Sequence, residues 1–268
     1  DRISDKASWV SPLFSRSSRI LFPICSLLIT KSSAIQNKYG IPAVPHIICK
    51  GFTKDETEYA LIDLNFLGVN NVLLLRGDVK TLEPVQDPEN YHEHATDLQQ
   101  QVNLFNKGVA LDGSHIDGIE TPFSYGMACY PEKHEEAPNM ESDIYYAKEK
   151  VKNGASYLVT QMFFDNSKYF AFVERCRKEG IEVPIIPGIK PIVFKNQLTV
   201  LPKIFRSDIP EPFAAELRKC KSDEDAMEVG IEWCIGQCKE LIAHGVPSLH
   251  FYTLLASESV RRIAKEIY

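Results

Sequence analysis

The stretch TKDETEYALIDLNFLGVNNVLLLRGD (residues 53–78) contains a helix, its stop signal and a buried strand in immediate succession. Thr53 followed by Glu56 has the spacing of a capping box, in which hydroxyl and carboxylate each satisfy the other's backbone N–H. Ala60, Leu61, Leu64 and Leu67 fall on one helical face, and Gly68 supplies the left-handed residue that ends it. Val72 to Leu75 is a continuous apolar run, the pattern of a strand covered on both faces. A helix feeding such a strand is half of a repeating βα unit.

Working outward, the same alternation recurs from about residue 34 to the C-terminus. Val44 to Cys49, Phe123 to Tyr130, Tyr157 to Phe164, Pro184 to Ile189 and Leu249 to Leu254 read as further strands. Ala95, Leu98, Val102 and Phe105 mark one intervening helix, and Met140, Ile144, Ala147 and Val151 another, ending near Gly154. Asn166 is placed to cap the next. A helix-rich stretch follows from about Gln197 to His244, and Ser257 can cap a closing helix. Ile20 to Ile29 (ILFPICSLLI) reads as one more buried strand. Its flanking Arg16, Arg19 and Ser32-Ser33-Ala34 also outline a secretory leader, but ten apolar residues are too few to span a membrane.

Alternating units of this kind predict an α/β fold, a (β/α)8 TIM barrel in a single domain. Six clear strands, or seven with residues 20–29, fall short of eight, so the barrel is expected to be incomplete at its N-terminal end. Residues 1–33 then form an atypical segment replacing the first barrel unit or units, and 34–268 the barrel domain. An open doubly wound sheet is the competing architecture, but no G-x-G-x-x-G follows any strand.

Composition narrows function. The 268 residues are 44% hydrophobic and 25% charged with a net charge of −6, and basic residues alternate with acidic ones. No basic patch emerges, so neither nucleic acid nor an anionic membrane is an expected partner. Seven cysteines (25, 49, 129, 176, 220, 234 and 238) without a Cys-x-x-Cys pair suit a reducing, cytoplasmic setting. His92-Glu93-His94 lacks further ligands nearby, and a metal site is not expected. Neither a nucleophile elbow nor a Walker loop is present.

In a parallel barrel, polar residues at the C-terminal strand ends line the site. Those ends supply His46, then Arg76-Gly77-Asp78, Tyr130-Pro131-Glu132 with His134, Gln161, Pro187-Gly188, and His250 with Tyr252. Each has a plainer reading. His46 suits a satisfied core histidine, Arg76 and Asp78 a structural turn, and Gln161 a partner for buried backbone.

The segments GIPAVPHIICKGFT (40–53), LGVNNVLLLRGD (67–78), ACYPEKHEEAPN (128–139), YLVTQMFFDNSKYFAFVERCRKEGI (157–181), PIIPGIKPI (184–192) and GVPSLHFYT (245–253), in this order, resemble methylenetetrahydrofolate reductases of the bacterial, single-domain type. The resemblance implies a barrel that holds FAD and passes hydride by a ping-pong route from NAD(P)H to 5,10-methylenetetrahydrofolate, giving 5-methyltetrahydrofolate. It also implies a homo-oligomer. By resemblance, His46, Arg76, Gly77, Asp78, Ala95, Tyr130, His134, Asp143 and Lys150 contact FAD. Asp78, Gln161 and Gln197 meet the substrate, and Asp78 modulates hydride transfer. The family's first-strand glutamate, a general acid, has no counterpart in residues 1–33, which contain no Glu. Leu201 and Ala256 stand where some members have phenylalanine and arginine. The alternative is an impaired barrel that binds FAD or folate without turnover.

Overall fold

The computed structural model describes residues 22–77, 87–119, 121–254 and 257–268. The capping box forms as expected. The Thr53 hydroxyl accepts from Glu56 N–H at 3.1 Å, and the Glu56 carboxylate accepts from Thr53 N–H at 2.8 Å. Together they start α2 (Lys54–Phe66), and Gly68 follows it in the left-handed region at φ +75°. The next strand, β2 (Asn71–Leu75), pairs in parallel with β1 (His46–Ile48) on one side and β3 (Ser124–Cys129) on the other.

β4 (Tyr157–Met162), β5 (Ile185–Ile189) and β6 (His250–Phe251) complete one sheet, ordered β1-β2-β3-β4-β5-β6 and parallel throughout. A doubly wound sheet reverses its strand order part-way, and this one does not. The two edge strands also curl toward each other, because the rings of His46 on β1 and His250 on β6 stack with centroids 6.2 Å apart. The described chain is therefore an incomplete TIM barrel of six strands.

The crossovers are α3 (Ala95–Phe105), α4 (Met140–Lys152) and α5 (Asn166–Lys178), then α6 (Gln197–Phe205), α7 (Glu211–Lys219) and α8 (Asp223–Ala243) together between β5 and β6. α9 (Ser257–Ile267) closes the chain. The main core lies between helices and sheet, with Ile47, Leu74, Met127, Leu158 and Ile185 aligned by register along the outer face of the strands. A second cluster around Met162, Phe164, Leu201 and Phe213 forms where the end of β4 meets α6–α8.

Two sequence expectations are corrected. Of the run expected as a strand at 20–29, the described residues 22–29 do not supply one. Phe22–Tyr39 is helix α1, which packs beside α2. Pro23 is tolerated because it lies in the first turn, where its missing N–H costs nothing. Ile29, Ser32 and Gln36, spaced by three and four, face inward, and Gln36 Nε2 donates to Gly68 O at 2.6 Å. The cap of α5 is Asp165, which accepts from Ser167 N–H at 2.9 Å, while Asn166 is the first helical residue.

On the inner face, two tyrosines act alike. Gly126 of β3 has no room for a side chain, since a Cβ there would lie 2.1 Å from the Tyr157 ring. Tyr157, from β4, crosses that glycine and points its hydroxyl at Val72 O on β2, 3.5 Å away. Tyr252, just after β6, packs on Gly188 of β5 and donates to Thr160 O on β4 at 2.8 Å. A bulge between Val159 and Met162 frees that carbonyl, and the Thr160 hydroxyl takes over the Gly188 N–H at 2.8 Å.

Candidate active site

Five of the anticipated residues gather at the C-terminal ends of β2 and β3. Tyr130 ends β3, and its ring meets His134 edge-on with centroids 4.6 Å apart. The loop between them, and the strand before it, are braced from α4. Asp143 Oδ2 accepts from His134 N–H at 2.7 Å, and Lys150 Nζ donates to Ala128 O at 2.8 Å. Arg76, at the end of β2, pairs with Glu136, whose own N–H donates to His134 Nδ1 at 3.2 Å. That bond assigns the His134 proton to Nε2, leaving an N–H to donate.

Electrostatics follow from burial. Desolvation lowers the pKa of His134 against the opposing pull of Glu136 and Asp143, with Arg76 and Lys150 adding smaller contributions in the lowering direction. Desolvation raises the carboxyl of Asp143 and lowers the ammonium of Lys150, while their mutual attraction opposes both shifts. Arg76 Nε is buried without a partner among the described residues. Gly77 has φ +87°, a conformation that turns the chain sharply after β2 and that side chains resist. Asp78 lies outside the described residues, as does Ala256.

The remaining anticipated residues are placed as follows. Ala95 is the first residue of α3, directly after His94, the N-cap. His46 sits on the other flank of the mouth against His250. Desolvation holds both imidazoles neutral, and His46 depresses His250 further. Gln161 lies in the β4 bulge with Oε1 accepting from Met162 N–H at 2.9 Å. Gln197 begins α6, and its Oε1 accepts from Val193 and Phe194 N–H at 2.8 and 3.1 Å. Both amides thus spend their oxygens on local backbone, the plainer reading offered for Gln161, and present only their NH2 ends to a ligand. Leu201 is buried in the second core cluster.

Two further groups stand out by burial: Glu132, which the strand-end run Tyr130-Pro131-Glu132 already supplied, and Lys190, which the strand-end reading passed over. Glu132 follows β3. Its Oε1 accepts from Asp208 N–H at 3.2 Å, its Oε2 is buried without a partner among the described residues, and desolvation pushes its carboxyl up to about 7. Lys190 follows β5, is only 3% exposed, and makes no ion pair or hydrogen bond among the described residues. Its interruption of the apolar run PIIPGIKPI was the available signal.

A family profile for methylenetetrahydrofolate reductase matches residues 26–268. The chain belongs to this family. Among its relatives, a probable methylenetetrahydrofolate reductase (NADPH) of Caenorhabditis elegans is 32% identical over 246 residues, covering 89% of this chain and 35% of the nematode protein. The 5,10-methylenetetrahydrofolate reductase of Escherichia coli K12 is 31% identical over 226 residues, covering 84% of this chain and 69% of the bacterial protein. The chain thus spans about a third of the length of the nematode reductase, and identity alone does not separate the bacterial from the eukaryotic branch of the reductase family. A solved structure from Clostridium thermocellum, described as binding two copies of 5-methyl-5,6,7,8-tetrahydrofolic acid, aligns with a TM-score of 0.53 at 15% identity. It covers 87% of this chain and 77% of its own, and it supports the fold. Among the described residues, no helix is long and apolar enough to cross a membrane.

Proposed function

We propose that this barrel performs the FAD-dependent reduction of 5,10-methylenetetrahydrofolate to 5-methyltetrahydrofolate with NAD(P)H as reductant, the two substrates visiting in turn. The observation that carries the proposal is family membership over residues 26–268. The mouth fits an anionic dinucleotide. Arg76 has a buried Nε without a partner, His134 offers Nε2–H, and α3 begins beside them with backbone N–H groups that favour negative charge. FAD, when bound, supplies the hydride carrier.

The chain's own residues hold and orient. Arg76, Gly77, His134 and Ala95 form one wall for phosphate and ribose. Asp143 holds the Tyr130–His134 loop at the His134 N–H and Lys150 holds β3 at the Ala128 carbonyl, a bracing role that their hydrogen bonds support. His46 contributes a neutral imidazole from the opposite flank. Gln161 and Gln197 present amide NH2 groups to carbonyl or ring-nitrogen acceptors of a folate. Asp78 remains the proposed modulator of hydride transfer. The six free, buried cysteines among the described residues agree with a reducing compartment, for which we propose the cytoplasm, and homo-oligomerisation belongs to the same reading.

The test is an anaerobic titration of FAD-reconstituted protein with NADH and then methylenetetrahydrofolate, following flavin absorbance. Bleaching by NADH and recovery on adding folate is the expected result. Bleaching without recovery assigns the chain to the alternative, a barrel that binds without turnover. That alternative is favoured by the two strand edges, β1 and β6, that lack ladder partners among the described residues. Absence of flavin binding overturns the reductase reading and leaves only the impaired barrel.

A further inference from the structure

A cavity of ≈ 830 Å³ opens on the outer wall, between the start of α5 and the α7–α8 pair. None of its lining residues belongs to the mouth. Its hydrophobic side is a fixed aromatic pair, Phe213 and Trp233, stacked at 4.6 Å with an interplanar angle of 7°. The indole is locked by Nε1–H donating to Phe164 O at 3.1 Å.

The polar side is acidic. Asp165, Glu216, Glu232 and Glu240 line the cavity, and its walls contain no lysine, arginine or histidine. Glu216 pairs with Lys219 at 2.6 Å, whereas the other three make no ion pair among the described residues. Asn166, 5% exposed, also lies in the wall. Its Nδ2 donates to Gln237 O at 3.0 Å and Glu240 Oε2 at 2.7 Å, but its Oδ1 has no partner among the described residues. A buried acceptor left unpaired is unfavourable until a donor reaches it.

We propose that this cavity binds a small organic cation carrying N–H donors on an apolar body, an alkyl- or arylammonium or an amidinium. The carboxylates supply charge-assisted acceptors, Asn166 Oδ1 a further one, and the Phe213–Trp233 pair apolar contact for the body. The volume lies within the range of small-molecule sites. A bare metal ion does not suit it, since the wall is largely apolar and no group of three His, Cys, Asp or Glu is set to hold one among the described residues.

The chain has two tryptophans, so Trp9→Phe leaves Trp233 as the sole indole reporter. Benzamidinium titrated into that protein is expected to change Trp233 emission saturably. Glu232→Gln with Glu240→Gln, which keeps the acceptor that Asn166 Nδ2 uses, should weaken binding by about tenfold or more. Tetraethylammonium, equal in charge but lacking N–H, should bind at least about tenfold more weakly than benzamidinium. Gly236→Leu fills the cavity without disturbing α8, because a Cβ at Gly236 meets nothing within 4 Å, and it should abolish the response. The proposal is overturned by no saturable response, by a full response in Gly236→Leu, or by equal binding of tetraethylammonium. If the double glutamine variant fails to fold, Gly236→Leu decides alone.

Discussion

At the scale of single residues, Glu132 and Lys190 set how stability depends on pH. The folded carboxyl of Glu132 titrates at about 7 rather than 4.5, chiefly through desolvation. Between those values the folded chain holds a proton that the unfolded chain has released, so stability falls as pH rises through this window and levels above it. Glu132→Gln should remove that slope and stabilise the protein by about 1–2 kcal/mol near pH 8, a figure reduced for partial exposure. Urea midpoints at about pH 4.5 and pH 8 read it, and equal slopes in parent and variant would refute it. Lys190 behaves oppositely. Desolvation lowers its ammonium pKa, so folding disfavours the charged form, and stability rises as pH climbs through the folded value. Lys190→Met should raise stability near pH 7 by on the order of 1 kcal/mol. A lower urea midpoint would show that the ammonium has a stabilising partner after all. Neither residue can be ranked from its letters, because desolvation depends on what the fold packs around it. Tyr130, His134, Asp143 and Lys150 lie together in the fold, but their letters do not show that Asp143 accepts from the His134 backbone or that Lys150 donates to the β3 backbone at Ala128.

At the scale of elements, the sequence was informative wherever one element carried its own signals. The Thr53–Glu56 box and Gly68 fixed α2 at both ends, and five of the six strands were found within about two residues, β6 forming only part of its predicted run. Residues 20–29 misled because a short apolar run carries no period of its own. The helix shows only when Ser32, which is buried, and Gln36, which donates to Gly68 O, are added to the pattern. The β4 bulge was equally hidden, since it arises from Thr160 bonding across to β5. Gly126 offers the sharpest test at this scale. Gly126→Ala drives a methyl into the Tyr157 ring and should cost about 1–3 kcal/mol. In a Tyr157→Leu background the cost should shrink, and a double-mutant cycle measures the coupling. Additive effects would mean that the two side chains do not share that space.

For the whole molecule, strand order and curl decide the architecture, and both follow from repetition rather than from any one motif. A chain of βα units can wind in one direction or reverse, and the choice rests on long-range pairing that local patterns do not encode. The flavin titration belongs at this scale, because the proposed ligand walls come from β1, β2, β3 and α3 together. So does the behaviour of the sheet's edges. β6 contributes only two residues to the ladder, yet Tyr252 reaches past β5 to a carbonyl of β4, and Tyr157 likewise reaches past β3 toward β2. Each phenol spans three strands, and through Tyr252 the edge strand β6 cannot peel away without disturbing β4, two places inward. Hydrogen exchange should therefore show the amides of Phe251 and Tyr252 opening together with those of β4, and Tyr252→Phe should uncouple them. The sheet would then fray from its rim one strand at a time, and what had been a single cooperative unit would become a graded series of openings.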